Sequence, residues 1–228
     1  YAQDSLFTTN SDEFRRDPAF RAAYARGLLA SHGVDPRHEW RVHVALWAAE
    51  LASRVDGDFV ECGVNSGFMS SAIMQRLEWG KLDKTFYLVD TFAGPVAGQF
   101  SEEEVSAGRL RVVEEVKASG GYELDLGRIE ANFAEWPNAR LVQGVVPEVL
   151  GELAVERVAF LHLDMNCAYP EVSALRFFWE RMPRGGVVLL DDYAYFGNGE
   201  LKGAIDAAAA GLGASVLGLP TGQGLIVR

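Results

Sequence analysis

Two segments near the start of the chain carry apolar residues at helical spacing. Asp17-Pro18 puts a capping residue before a proline at the first helical position, and Phe20, Tyr24 and Leu28 follow at intervals of four. Gly33 marks the end of that helix. Asp35-Pro36 repeats the start signal, and Trp40, Val44, Trp47, Leu51 and Val55 form the next stripe, which stops at Gly57. After Asp58 the pattern changes to short apolar runs at 59–62, 86–89, 140–142, 158–163 and 187–190, the signature of strands buried on both faces of a parallel sheet. Helical text at 66–79, 147–153 and 170–182 alternates with them. The last two runs, 215–217 and 225–227, are joined by a Gly/Pro-rich turn too short for a parallel crossover, so they are expected to pair antiparallel. The pattern predicts an α/β fold, a doubly wound and mainly parallel sheet with N-terminal helices.

The longest interval between strands, 94–136, opens with a capping box, Ser101 with Glu104. It continues with amphipathic helical text around Leu110, Val113, Ile129 and Phe133 and reads as a lid-like helical insertion. The chain thus divides into an N-terminal helical segment, 1–57, and a main domain, 58–228, joined in one compact unit. The first segment is expected to pack on a sheet edge, cover a cleft or form an oligomer contact.

Composition narrows the class. The 228 residues are 49% hydrophobic and 23% charged, as in ordinary globular proteins. The 21 Lys and Arg against 32 Asp and Glu leave a net charge of −11, which repels phosphate backbones and anionic membranes. No apolar stretch is long enough for a bilayer. The first residue is not Met and no signal-peptide pattern follows. Cys62 and Cys167 fit neither a disulfide framework nor a zinc site, and a cytoplasmic location is expected.

Three constellations carry chemistry. In Asp58-Phe-Val-Glu-Cys-Gly-Val-Asn-Ser-Gly67 a strand delivers Glu61 and then a turn with Gly63 and Gly67 at the mouth of a helix, where free N–H groups can meet an anion. The spacing is not G-x-G-x-x-G, which counts against a dinucleotide fingerprint. Asp90 closes the second strand, a position from which a carboxylate accepts ribose hydroxyls. Asp164 follows the fourth strand and Asp191-Asp192 the fifth. Three carboxylates at one sheet edge need a cation or protons, and an all-oxygen donor set suits Mg²⁺ or Mn²⁺.

Taken together, these blocks resemble the macrocin O-methyltransferase family of S-adenosylmethionine enzymes. The matching text is GDFVECGVNSG, FYLVDTFAG, LVQGVVPEVL, FLHLDMNCAYPEVSAL, RGGVVLLDDYAYFG and LPTGQGLIV, in that order over about three quarters of the chain. The resemblance implies a Rossmann-like class I methyltransferase fold with seven strands and a terminal antiparallel hairpin. It implies S-adenosylmethionine lying across Glu61, Gly63, Asn65, Ser66 and Gly67, with Asp90 on its ribose and Gln143 or Gly144 near the adenine. It also implies a divalent metal on Asp164, Asp191 and Asp192, and an acceptor hydroxyl on a sugar or polyol-bearing natural product.

The sequence departs from the family pattern at Asn166. This position often holds an aspartate read as general base, and an amide accepts no proton near neutral pH. Asn166 can instead orient substrate or complete a metal shell. Asp164 and His162 are the other catalytic candidates, with His38 and His43 behind them. A glycosidic small molecule is the expected partner, with no nucleic acid and no membrane, and the apolar N-terminal helices suggest a homo-oligomer. Two other readings stand beside this one: a cofactor-binding module that has lost its chemistry or serves assembly, and a nicotinamide-dependent oxidoreductase.

Overall fold

The computed structural model describes residues 1–228. A short hairpin, β1 (Ala2–Gln3) and β2 (Leu6–Phe7), precedes helices α1 (Pro18–Ala30) and α2 (Glu39–Ser53). The main run is β3 (Asp58–Cys62), α3 (Phe68–Arg76), β4 (Phe86–Asp90), α4 (Glu102–Ser106), α5 (Arg109–Ala118), α6 (Leu126–Phe133) and β5 (Ala139–Gln143). It ends with β6 (Val158–Leu163), α7 (Ala168–Trp179), β7 (Val187–Leu190), α8 (Gly199–Gly211), β8 (Leu217–Gly218) and β9 (Gly224–Val227). The seven strands after the hairpin lie in the order β5-β4-β3-β6-β7-β9-β8. The first five are parallel, and β9 runs antiparallel to both of its neighbours.

Strand alternation divides the core into two layers. Phe59, Phe86, Leu88, Phe160, Val187 and Leu189 face one side, where they pack with α1, α2, α3 and residues Ile129 and Phe133 of α6. Val60, Cys62, Leu161, Leu163, Val188 and Leu190 face the other side, against α7 and α8. Helices on both faces bury every residue of β6 and β7, which explains their unbroken apolar text. The N-terminal helices share the first layer: α2 lies on β6 and β7, and α1 packs against α3.

The sequence reading of α2 needs correction. Its buried face is Arg41, Val42, Ala45, Leu46, Ala48, Ala49 and Ala52, and Trp47 is 53% exposed. Alanines let the helix sit close on the sheet, and the bulky residues fall to the flanks, where Trp40 meets Phe14 edge-on at 4.7 Å. Residues 148–152 form a 3₁₀ turn where a helix was expected. Helix α8 escaped the sequence reading because its Ala/Gly-rich text looked only weakly hydrophobic. Alanine's helix propensity and the spacing of Leu201, Ile205, Ala208 and Ala209 account for it.

The interval 94–136 holds α4, α5 and α6. The capping box forms: Ser101 Oγ accepts from the Glu104 N–H, and Glu104 Oε2 accepts from the Ser101 N–H. Glu104 is buried, and its other oxygen accepts the Ala168 N–H at 2.8 Å, which joins α4 to the first turn of α7.

Candidate active site

Two adjoining clefts open at the carboxyl edge of the sheet and share a wall made by Gly63, Asn65, Tyr122, Glu123 and Asp164. In the first, β3 ends and the chain turns back through Asn65 (φ 51°) and Gly67 (φ 82°) into α3. Asp90, at the end of β4, organises this turn. Its Oδ2 accepts the N–H groups of Val64 at 2.7 Å and Asn65 at 2.9 Å, and its Oδ1 accepts that of Phe92 at 2.8 Å. Asn65 ties the turn to the insertion, donating to the Gly121 carbonyl and accepting from the Glu123 N–H. A Cβ on Gly63 would lie 2.0 Å from the Asp164 carbonyl oxygen, so only glycine lets the β3 and β6 ends meet. Val89, Val146 and Gly144 add an apolar lining to this cleft.

The second cleft extends from the Gly63 turn to residues 31–38, and Glu61, Asp164 and Asp191 lie in its floor. A row of buried polar side chains crosses three strands beneath it. Glu61 and His162 are register partners on β3 and β6, and His162 Nδ1 lies 2.8 Å from Glu61 Oε1. His162 Nε2 is 3.8 Å from Asp191 Oδ1, an ion-pair rather than hydrogen-bond distance. Burial alone would lower the pKa of His162, but the carboxylates of Asp191 and Glu61 on its two sides raise it well above the usual value. His162 is thus held between two carboxylates that favour its charged form. Glu61 Oε2 is buried with no partner in the protein and faces the second cleft.

Arg41 of α2 closes the row. Its Nη1 donates to Asp191 Oδ2 at 2.6 Å and to Asp192 Oδ1 at 3.2 Å, and its Nε donates to Asp4 Oδ2 at 2.7 Å. Gln223 Nε2 donates to the remaining Asp191 oxygen at 2.8 Å. Burial would raise the pKa of Asp191, yet Arg41 holds it far below the carboxylate range. Asp192 is raised by burial and by the charge of Asp191. Asp164 has no hydrogen-bond partner on its carboxylate, and burial with the charges of Asp191 and Asp192 pushes it well above its ordinary value.

The sheet edge thus gathers Asp164, Asp191 and Asp192 as expected, but not as a metal donor set. No three His, Cys, Asp or Glu side chains surround a common ion position. A guanidinium that is charged at every accessible pH sits between two of the expected ligands, and each oxygen of Asp191 already accepts a hydrogen bond. The donor arrangement does not fit a divalent ion.

Gly63, Asn65, Asp90, Gly144, Asp164 and Asn166 line the first cleft, while Glu61 and Ser66 line the second. Gly67 and Gln143 line neither. A Cβ on Gly67 would lie 2.5 Å from the Phe133 ring, and Gln143 donates to the Thr91 carbonyl. Asn166 adopts φ 65°, and Glu171 Oε1 accepts its N–H and that of Met165. His38 lines the second cleft near Asp4, whereas His43 stacks on Phe14 at 4.1 Å as packing. Arg41, Asp4 and Gln223 were missed. Gln223 stands inside the quoted LPTGQGLIV block, and Arg41 carried no local signal.

Residues 26–206 match the Macrocin-O-methyltransferase (TylF) family. A relative in Streptomyces olivaceus, described as 8-demethyl-8-(2,3-dimethoxy-alpha-L-rhamnosyl)-tetracenomycin-C 4'-O-methyltransferase, is 29% identical over 152 residues. That match covers 63% of this chain and 56% of the relative. Among solved structures, the O-methyltransferase NovP superposes with a TM-score of 0.68 at 18% identity, over 82% of this chain and 79% of that one. CalS11, a TDP-rhamnose 3'-O-methyltransferase of calicheamicin biosynthesis, gives a TM-score of 0.59 at 14% identity over 97% of each chain. The seven-stranded sheet with its inserted antiparallel strand is the class I methyltransferase fold shared with these structures. By its match over residues 26–206, the chain belongs to the macrocin O-methyltransferase family.

Proposed function

We propose that the chain is an S-adenosylmethionine-dependent O-methyltransferase that methylates a hydroxyl of a sugar or polyol-bearing natural product. The observation that carries the reading is the pair of clefts that share Asp164 in their walls, one shaped by the Asp90-organised turn and the other bordered by Glu61 and Asp191. The residues of the first cleft fit the cofactor. Its apolar lining suits a purine, and Asp90, although it already accepts three N–H groups, has acceptor capacity left for a ribose hydroxyl. The orphaned Glu61 Oε2 lies on the second cleft's side, two residues before the shared Gly63, and suits a cationic group that reaches across that wall. S-adenosylmethionine, when bound, supplies an electrophilic methyl group.

The chain's own contribution is alignment and proton management. Asp164 stands on the shared wall with no hydrogen-bond partner on its carboxylate, a position from which it takes the proton of the acceptor hydroxyl as the O–CH₃ bond forms and the S–CH₃ bond breaks. Asn166, on the cofactor side, orients without accepting a proton. His162, between Glu61 and Asp191, holds the two carboxylates in place. Magnesium has no part in this reading, because Arg41 stands among the aspartates. The relatives' printed activities support a glycosidic acceptor. The final antiparallel strand and the missing G-x-G-x-x-G leave nothing to favour a nicotinamide cofactor. No helix is long and apolar enough to cross a membrane.

Calorimetry with S-adenosylhomocysteine, followed by transfer of a labelled methyl group to a panel of deoxysugar glycosides, tests the proposal. Micromolar binding and a labelled glycoside are expected. Absence of binding at millimolar ligand overturns the cofactor assignment, and binding without transfer to any acceptor favours the non-catalytic module.

A further inference from the structure

Arg41 is unusual among the charged groups of this molecule. Its side chain is 5% exposed, yet it comes from a helix outside the strand-and-loop sequence that builds the rest of the site. Three carboxylates converge on it: Asp191, Asp192 and Asp4. The Tyr195 ring lies 4.8 Å from its guanidinium carbon, so the cation is also covered by a π face. Asp4 sits in the turn of the β1–β2 hairpin at φ 50° and is itself buried. The hairpin therefore holds Arg41 from behind while the two site aspartates hold it from in front.

This arrangement and a divalent ion compete for the same oxygens. A metal that takes Asp191 Oδ2 or Asp192 Oδ1 displaces an Nη1 hydrogen bond, and on any oxygen of the pair it meets a fixed positive charge a few ångströms away. Moving the guanidinium aside breaks three charge-assisted contacts and leaves a buried charge poorly compensated. Gln223 adds a second lock, since its amide occupies the Asp191 oxygen that Arg41 leaves free.

We propose that Arg41 is the resident cation of the aspartate cluster and excludes divalent metal from it, so that this site works without a metal ion. The inference rests on the methyltransferase reading only for the reaction served; the competition for carboxylate oxygens is a property of the cluster itself.

Mn²⁺ binding, followed by the electron paramagnetic resonance of the free ion, tests it on the full chain. Wild-type protein is expected to bind no Mn²⁺ stoichiometrically below 1 mM, and Arg41→Gln to tighten binding at least tenfold by freeing two carboxylates. Arg41→Lys, which keeps a charge but loses the fork, is expected to fall between them. Methyl transfer by the wild type should survive a chelator. One tight Mn²⁺ per wild-type chain, activity abolished by chelator and restored by the ion, or unchanged Mn²⁺ affinity in a folded Arg41→Gln each overturns the proposal. If that variant does not fold, the wild-type titration decides alone. S-adenosylhomocysteine affinity, measured on the same samples, reports separately on the cofactor cleft.

Discussion

The two clefts share a wall but are built by different means. In the first cleft, the shape is set by main chain: a glycine at a strand end, an asparagine in left-handed conformation, and one aspartate collecting amide hydrogens from the neighbouring strand's turn and its own. In the second, the shape is set by buried charge drawn from the hairpin, α2, β3, β6, the β7 end and the final turn. A wall of backbone tolerates little change in size, whereas a network of ions tolerates little change in charge. The first kind of site is local and leaves a motif; the second is long-range and leaves almost none.

Perturbations of each side separate the two designs. The largest effect belongs to Gly63→Ala, which sets a methyl group against backbone at a φ of 94°. It should cost more than about 4 kcal/mol and prevent stable folding, as read by urea denaturation. A well-folded Gly63→Ala would mean the strand ends can separate. Next comes Glu171, which burial and then the charge of Asp192 push from 4.5 to about 8. Between those values the unfolded chain ionises first and binds fewer protons than the native one, so stability falls as pH rises from 4.5 to about 8. Glu171→Gln should flatten that slope, a difference of roughly 4 to 5 kcal/mol at pH 9. Equal slopes in parent and variant would place the cause elsewhere.

Asp90→Asn is milder for the fold but strikes the cofactor side. Its amide replaces a charged acceptor of three N–H groups, and S-adenosylhomocysteine affinity should drop by roughly 10- to 100-fold in calorimetry. The smallest change is expected from Asp4→Asn. Arg41 keeps its two forward partners, so stability should fall by about 1 kcal/mol and S-adenosylhomocysteine affinity should stay within about twofold. A large loss of that affinity would show that the two walls are coupled.

The legibility of the sequence follows the same division. Strand ends carrying Glu61, Asp90, Asp164 and Asp191 could be read because β3, β4, β6 and β7 are apolar runs closed by an acidic residue. The antiparallel end was legible from the length of a turn. Arg41 was not, because an arginine on a helix normally reads as surface, and its burial depends on partners 150 and 151 residues away. The same blindness misplaced the centre of the buried face of α2, where Val44 and Leu51 pack at its margin, Trp47 is exposed and the alanines touch the sheet. The three aspartates were read correctly as neighbours, but their charge suggested an external ion because nothing local disclosed the internal one.

Glu104 has a consequence for motion. With one oxygen on its own helix and the other on the Ala168 N–H, it rivets α4 to α7, and the two must travel together. Any opening of α5 and the connection after it must break the Asn65 bonds to Gly121 and Glu123, and the segment is anchored again where Ile129 and Phe133 enter the core. A protease searching the folded chain should cut that connection first and leave α4 whole.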